Sequence, residues 1–495
     1  MGAPPSRTIS GATSESCPAP DAFRNRPHYR RRWAIGLERI ALARETAAPY
    51  ALDVENKASE ERGLPLSRES TRRQPGAAIT ALVITSLSLV TACSASSPSE
   101  QSGRPTPATT GGQTSLVDVN AEERFSALLI RPTEPETIPV MGTDGRFHVV
   151  YELEVQNTSP RPATITEVLT LDPENDVVSS LEGDAVTALS MIVADFALPP
   201  VPADVVPAGR SVLLIMDAVF DQDNEIPSSL IHAVTATFGG FEPNQGDFAL
   251  NNFPDESTET GGLVTVGDGE PEVIGPPMTG GGWVAVNGCC ELSPHRGAML
   301  PLGGRINGSE RYAVDWSRFD TDAEPLVDFE MGTQATFSGD PDDNNSYFTF
   351  GEPAIAVADA EVIAVVDGLE DAPPHVFLTL PLKDLGGNRV ILKLRDGVYA
   401  FYGHLKKGSV LVEVGDTVER GDQIAELGNS GNTSEAHLHF HLMNGPLPLT
   451  ATNLPWVIDS FVFEGTAEPA GLIATGTGER ENELPLMYST VGFDD

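Results

Sequence analysis

Basic residues are scarce in this 495-residue sequence, in which 31 Lys and Arg stand against 71 Asp and Glu, for a formal charge of −40. Such an acidic surface repels nucleic acid and anionic membranes, so we expect no nucleic-acid partner. Long amphipathic helical patterns are also missing. The absence of such patterns favours a chain built from strands, and its length favours two folded domains.

Cysteine is almost as rare, with only Cys17, Cys93, Cys289 and Cys290. Four residues at this spacing exclude a disulfide framework and a cysteine-based zinc site. Cys289 and Cys290 are adjacent, and a bridge between neighbours is strained, so we expect no disulfide there.

The sequence shows no clear hydrophobic run that is long enough to cross a membrane. The segment Ile79–Ala92 has fourteen residues, whereas a spanning helix needs about 20. Arginines precede it, and its end resembles a bacterial lipobox, so we predict a lipoprotein signal peptide at 66–93 with lipidation of Cys93. The alternative is a short buried helix. Residues 1–65 would then be a mis-assigned or disordered extension, and the mature protein would be exported and anchored to the membrane by lipid.

Short segments that alternate apolar and polar residues predict an all-β protein. We expect an N-terminal immunoglobulin-like β-sandwich and a C-terminal antiparallel sheet or barrel, with His148 and His232 as ordinary strand residues. The predicted strands are Phe125–Ile130, Phe147–Val155, Ala163–Leu169, Ser211–Met216, Ile231–Phe238, Ala354–Ala358, Glu361–Val366, Arg389–Leu394 and Gly397–Tyr402.

Segments rich in Ser, Pro, Gly and acidic residues predict linkers between these regions. The expected organisation after the signal peptide is a flexible linker at 94–116, the sandwich at 117–253, a linker at 254–285, a C-terminal domain at 286–465 and a loosely ordered tail at 466–495.

Histidines are concentrated near the C-terminus, because four of the nine, His404, His437, His439 and His441, fall within 38 residues. Three of them alternate with apolar residues, so on a strand their imidazoles leave the same face about 6 to 7 Å apart. Imidazole is a common zinc ligand, and a catalytic zinc uses three protein ligands and a water. The alternative is a surface stripe of histidines that binds no metal.

The motifs around these histidines resemble those of lysostaphin/LytM-type zinc peptidases in order and spacing. Biotinyl and lipoyl carrier domains share the Gly-Asp piece but lack the histidines. The matching segments are Tyr402–Leu405, Val414–Ile424, Leu427–Asn432 and Ala436–Phe440, and Gly351–Val362 is similar to the preceding strand pair.

The resemblance implies a duplicated-hybrid-motif-like fold, a Zn²⁺ cofactor and peptidoglycan peptides as substrate. It makes His439 and Asp315 zinc ligands, His437 the general base or oxyanion partner, and His404 the second catalytic histidine. Asp315 matches the aspartate of the family's His-x-Gly-x-Asp motif.

The sequence departs from that motif at two positions, because Arg311 replaces its histidine and Ala313 its glycine. A guanidinium is always protonated and cannot ligate zinc. We expect Arg311 to pair with Asp315 and to weaken metal binding. His295 and His441 are the two candidates for the missing ligand.

The sequence leaves three functions open. The first is an exported zinc endopeptidase that cleaves cell-wall peptides. The second is a degenerate family member that binds wall peptides or activates another hydrolase, for which Arg311 is the main argument. The third is an adhesion or ligand-binding lipoprotein without chemistry, which would leave the histidine cluster unexplained.

Overall fold

The computed structural model describes residues 124–193, 203, 205–241, 252–327 and 334–494. The predicted N-terminal extension, the signal peptide with Cys93 and the 94–116 linker lie outside these residues. From Arg124 onward the chain forms one compact unit. No helix among the described residues combines the length and the apolar character needed to cross a bilayer.

The described residues of the first region form a sandwich of two sheets with a short helix, α1 (Asp184–Ala188), and a 3₁₀ turn at Asp223–Glu225. Its strands are β1 (Leu128–Pro132), β2 (Glu136–Thr137), β3 (Val140–Met141), β4 (Phe147–Asn157), β5 (Ala163–Leu171), β6 (Val177–Glu182), β7 (Ser190–Ile192), β8 (Val205–Val206), β9 (Ser211–Phe220), β10 (Ser229–Phe238) and β11 (Glu256–Val266).

One sheet of this sandwich has the order β1-β4-β9-β7 with β3 beside β4, and the other has the order β2-β11-β10-β5-β6 with β8 beside β5. Strand β10 shows why the sequence folds this way, because every second side chain is buried along its whole length. Alternation of this kind gives a strand one face for the core and one for its surroundings. The inward faces of both sheets meet in a single hydrophobic cluster.

The second region is also built from strands, with 3₁₀ turns at Gln334–Thr336, Asn344–Ser346 and Leu382–Asp384. The strands are β12 (Glu272–Ile274), β13 (Gly280–Val286), β14 (Met299–Leu302), β15 (Arg305–Gly308), β16 (Val314–Arg318), β17 (Pro353–Ile355), β18 (Ala360–Val366), β19 (Asn388–Arg395), β20 (Val398–Leu405), β21 (Thr417–Val418), β22 (Gln423–Glu426), β23 (Leu438–Met443), β24 (Asn453–Leu454), β25 (Trp456–Ile458), β26 (Phe461–Glu468), β27 (Gly471–Ile473), β28 (Gly478–Arg480) and β29 (Ser489–Phe493).

Most of these strands belong to one sheet of twelve, whose main path runs β21-β18-β19-β20-β23-β16-β13-β29-β26-β27. Strand β23 lies at its centre, and all six of its residues are buried. A strand covered on both faces can hold polar side chains only where they find partners. The histidines of β23 are therefore in an interior position.

The two regions pack directly on each other. Val150, on the outward face of β4, belongs to the same buried cluster as Trp283 and Trp456 of the second region. The hydroxyl oxygens of Thr143 and Ser489 lie 2.6 Å apart across the same contact. The outer face of one sandwich sheet is thus an internal surface of the unit.

The all-β prediction is confirmed, but two predicted boundaries are wrong. The predicted 254–285 linker contains β11, β12 and β13, and the predicted tail at 466–495 contains the end of β26 and all of β27, β28 and β29. Strand β29 is buried throughout and lies between β13 and β26. The sequence did not predict these strands, because their glycine and acidic residues are typical of linkers. Their few apolar side chains are buried by strands that are distant in the chain.

Candidate metal centre

Neighbouring strands of the large sheet bring the predicted site residues together. Asp315 on β16 pairs directly with His439 on β23, and His439 pairs on its other side with Gly403 on β20. His404 follows Gly403. Directly opposed residues in antiparallel strands have Cβ atoms about 4.5 to 5.5 Å apart. The register alone therefore places a carboxylate and imidazoles within contact distance.

The third donor comes from outside this ladder. His295 lies in the segment between β13 and β16, and its Nε2 is 3.1 Å from Asp315 Oδ1. His439 Nδ1 lies 3.0 Å from the same oxygen. All three side chains are buried, and their potential ligand atoms lie within 4.8 Å of one another. Asn287 Nδ2 donates to the other oxygen, Asp315 Oδ2, at 2.7 Å and so orients the carboxylate.

Hydrogen bonds at the far sides of the rings show which nitrogens can bind a metal. His295 Nδ1 donates to the carbonyl of Ala313 at 3.1 Å, and His437 Nδ1 donates to the carbonyl of Glu435 at 2.9 Å. A neutral imidazole then has its lone pair at Nε2. His437 Nε2 also lies near Asp315 Oδ1, at 3.3 Å. Lone pairs that face a carboxylate oxygen repel it unless a cation lies among them.

The electrostatics of the cluster show the same need for positive charge. Burial lowers the pKa of His295, but the charge and hydrogen bond of Asp315, together with Glu310 and the Ala313 carbonyl, raise this pKa to about 9. Burial likewise lowers the pKa of His437, and Asp315 again produces a net increase. Burial raises the pKa of Asp315, whereas His295 and His437 hold that pKa well below its ordinary value. A divalent cation would satisfy this donor set, and two histidines with one aspartate are suitable ligands for zinc.

His441, the other candidate for the missing ligand, lies on the far side of His439. Its Nδ1 is 3.0 Å from His439 Nε2, and its ring stacks on Phe401 with centroids 5.0 Å apart. Burial and the charge of His439 hold the pKa of His441 well below its ordinary value, so the ring is neutral. In the neutral form of His439, an Nε2–H donated to His441 leaves the lone pair of Nδ1 directed toward Asp315. The geometry thus brings His295, and not His441, to Asp315.

His404 and His437 face each other beside this donor set, with ring centroids 4.8 Å apart. His404 Nδ1 donates to the carbonyl of Ser430 at 2.7 Å. Burial, reinforced by the charges of His437 and His439, holds the pKa of His404 well below its ordinary value. Both rings hydrogen-bond a backbone carbonyl through Nδ1, so in the neutral form each has its lone pair on Nε2.

The expected pairing of Arg311 with Asp315 is wrong. Arg311 points to the sandwich, where its Nε lies 3.0 Å from Glu152 Oε1 and its Nη2 lies 2.5 Å from Glu152 Oε2. Burial raises the pKa of Glu152, but Arg311 and Arg296 lower it to about 2, so the carboxylate is charged. Asp315 already has histidines and Asn287 around it, whereas Glu152 requires a cation. The substitution at position 311 thus leaves the ligand cavity free of the guanidinium.

The expectation that Cys289 and Cys290 are not bonded to each other is also wrong, because they form a disulfide. Cys290 lies near His148 and Asp217, and these three residues form a second group of potential metal ligands. The sulfur of Cys290 is already bonded to that of Cys289. A metal at this second group would lack its thiolate ligand.

Asn287 and Glu152 are site residues that the sequence did not reveal. Asn287 precedes a glycine and reads as part of a turn, and Glu152 alternates with apolar residues and reads as the exposed face of a strand. Neither has a distinguishing motif. Their importance depends on contacts between residues that are 28 and 159 positions apart in the chain.

Residues 348–450 match the sequence model of Peptidase family M23. This match confirms the resemblance for that segment. It includes His404, His437, His439 and His441, whereas Asp315 and His295 precede it.

Solved structures of such peptidases are also similar to the chain. The catalytic domain of lysostaphin from Staphylococcus simulans has 22% identity over 31% of this chain and 80% of that one, at a TM-score of 0.18. A putative M23 peptidase from Pseudomonas aeruginosa has 11% identity over 60% of this chain and 92% of that one, at a TM-score of 0.19. A zinc-containing peptidase from Vibrio cholerae has 11% identity over 64% and 83%, at a TM-score of 0.18. Similarity at these TM-scores carries no conclusion about activity.

Proposed function

We propose that the chain is a zinc endopeptidase that hydrolyses peptide bonds of bacterial cell-wall peptidoglycan. The observation that supports this proposal best is the convergence of His295, Asp315 and His439, with their donor atoms within 4.8 Å of one another. Zinc held by these residues would supply a Lewis acid that polarises the scissile carbonyl and lowers the pKa of water.

His404 and His437 are the proton carriers in this proposal. Each donates Nδ1 to a backbone carbonyl, which fixes the ring and leaves Nε2 to accept a proton. In the proposed reaction, an Nε2 atom takes the proton of the attacking water and a protonated Nε2 delivers one to the leaving amine. Such general acid–base catalysis contributes about 10²- to 10⁴-fold to rate.

The alternative of a degenerate wall-binding domain rested mainly on Arg311. Because Arg311 pairs with Glu152 and His295 lies where a third donor is needed, this substitution supports the alternative less than it did on sequence alone.

We further propose that the protein is exported and anchored through a lipid on Cys93, facing the cell wall or periplasm. The support is the arginine-flanked apolar run and the lipobox-like end, both in residues outside the described structure. Metabolic labelling with a fatty acid should tag the full chain and should fail for Cys93→Ala.

The decisive test of activity combines metal content with cleavage of purified peptidoglycan by the full chain, followed as new amino termini by mass spectrometry. We expect one zinc per chain. The variant His437→Ala should retain zinc and lose about 10²- to 10⁴-fold in rate. His375→Ala, which removes an exposed imidazole outside the cluster, is the control and should cleave normally.

Two results would contradict the proposal. A zinc-replete chain without bound metal would remove the hydrolase interpretation. Binding of peptidoglycan with zinc present but without cleavage would favour the wall-binding alternative.

A further inference from the structure

The segment that supplies His295 is held by the sandwich. Arg296, the next residue, is fully buried and donates from Nη1 to the carbonyl of Cys290 at 2.7 Å. Its Nη2 donates to the carbonyls of Tyr151 on β4 and Met216 on β9, at 3.2 and 3.3 Å. Arg296, which directly follows the potential metal ligand His295, is therefore hydrogen-bonded to two strands of the sandwich.

One sandwich carboxylate contacts both ends of this segment. Glu152 is 1% exposed, and its Oε1 lies 3.2 Å from Arg296 Nη2. The same carboxylate forms the two-pronged contact with Arg311, four residues before Asp315. Thr133 donates its hydroxyl to Glu152 Oε2 at 3.1 Å. Glu152 thus links the two stretches of chain that present His295 and Asp315.

Apolar contacts add to this attachment. Met299 of β14 packs in a buried cluster with Met191 of β7 and Leu213 of β9, and Leu292 and Ile306 border the same cluster. The segment from 287 to 313 therefore lies on the sandwich sheet through charged and apolar contacts, with His295 directed away from it toward Asp315.

We propose that Glu152 is a positioning residue of the metal centre, and that the sandwich contributes to metal affinity by holding His295 in place. This inference rests on the proposed zinc function. Removal of the carboxylate would leave two guanidinium groups buried near each other, and they would repel at close range. A metal ligand must stay within about 0.5 Å of its productive position, so a shift of the segment would weaken binding.

The test uses the full chain and measures Zn²⁺ affinity by competition with a chelator, together with the visible absorption spectrum of the Co²⁺-substituted protein. We expect Glu152→Gln to weaken zinc binding by about 10- to 100-fold, as loss of outer-shell partners does. Its Co²⁺ spectrum should change, because the spectrum reports ligand geometry. Circular dichroism and thermal melting establish that the variant is folded.

Glu154→Gln is the matched control, because Glu154 lies on the same face of β4 one step beyond the contact, with 25% of its side chain exposed. It should bind zinc and Co²⁺ as the wild type does. If Glu152→Gln fails to fold, Arg311→Lys replaces it, since lysine keeps the cation but loses the two-pronged contact. This variant should also weaken zinc binding.

The outcomes separate this inference from the proposed function. A wild-type chain that binds zinc, with Glu152→Gln or its replacement Arg311→Lys binding equally well and showing the same Co²⁺ spectrum, overturns the positioning role only. A wild-type chain without zinc overturns the proposed function instead, and the positioning role falls with it.

Discussion

Two buried polar clusters lie on opposite sides of the segment from 287 to 313, and they differ in how their charges are balanced. In the arginine–glutamate cluster of Glu152, Arg296 and Arg311, the carboxylate pairs with both guanidinium groups. In the histidine–aspartate cluster of His295, Asp315, His437 and His439, three imidazole nitrogens lie around a single carboxylate oxygen. The first cluster satisfies itself and serves as an anchor. In the second cluster, neutral imidazoles and the carboxylate direct several lone pairs toward the same space, which suits a bound cation.

Neighbours in sequence belong to different clusters. His295 and Arg296 are adjacent, yet one faces Asp315 and the other faces the sandwich. Arg311 and Asp315 are four positions apart, and they too belong to different clusters, because Arg311 pairs with Glu152 and Asp315 contacts His295. His295, Arg296 and Arg311 lie in turns, where the backbone changes direction within a few residues, so one short stretch can serve both clusters.

The largest effect should come from the carboxylate of the histidine–aspartate cluster. We expect Asp315→Ala to abolish tight zinc binding and to reduce peptidoglycan cleavage at least about a thousand-fold, since metal catalysis is worth several kcal/mol. Zinc content and cleavage rate are the measurements. Asp396→Ala, at an exposed position, is the control. Full zinc content in Asp315→Ala would show that the histidine–aspartate cluster does not need this carboxylate to hold a cation, and would contradict the comparison.

A smaller effect, on stability, should come from the arginine–glutamate cluster. Removal of one partner from a buried ion pair costs about 3 to 5 kcal/mol, so Glu152→Gln should lower the free energy of unfolding at pH 7 by that amount. The folded-state pKa of Glu152, about 2, is below its ordinary value of 4.5. Its contribution is therefore complete above about pH 4.5 and disappears as the pH falls toward 2.

Denaturant unfolding of the wild type and Glu152→Gln across this pH range tests both parts of that prediction. Glu154→Gln should change stability by no more than about 1 kcal/mol, because its partners are partly exposed. A stability difference between the wild type and Glu152→Gln that stays constant from pH 7 to pH 2 would contradict the ion-pair explanation.

The smallest effect should come from His441, which contacts His439 from behind. We expect His441→Phe, which keeps an aromatic ring against Phe401, to weaken zinc binding by about 10- to 100-fold without abolishing it. Chelator competition measures this affinity. A loss as complete as that of Asp315→Ala would instead identify His441 as a ligand.

Much of the fold could be predicted from local patterns. Strand β10 alternates along its whole length and β5 over most of it, since alternation reflects burial of one face, and β4 is recognisable as a run of apolar and β-branched residues. Strands β11, β13 and β29 were missed. Their glycine and acidic residues resemble those of linkers, and only pairing with distant strands makes them ordered.

The site was predictable in part for the same reason. His439 and His441 lie in β23 and His437 immediately precedes it, so period-two geometry relates the three directly. The choice between His295 and His441 could not be made, because it depends on how a segment without regular alternation folds back over Asp315. The direction of Arg311 was mispredicted, since its partner lies 159 residues away in the other region.

By itself, the sequence determined the β-rich architecture and the imidazole-rich strand, because both follow from periodicities of a few residues. The tertiary structure alone decided which histidine joins Asp315 and where the guanidinium at position 311 finds its counter-charge. Those choices are made by burial, since a charged group removed from water must take whichever opposite charge the fold brings within reach.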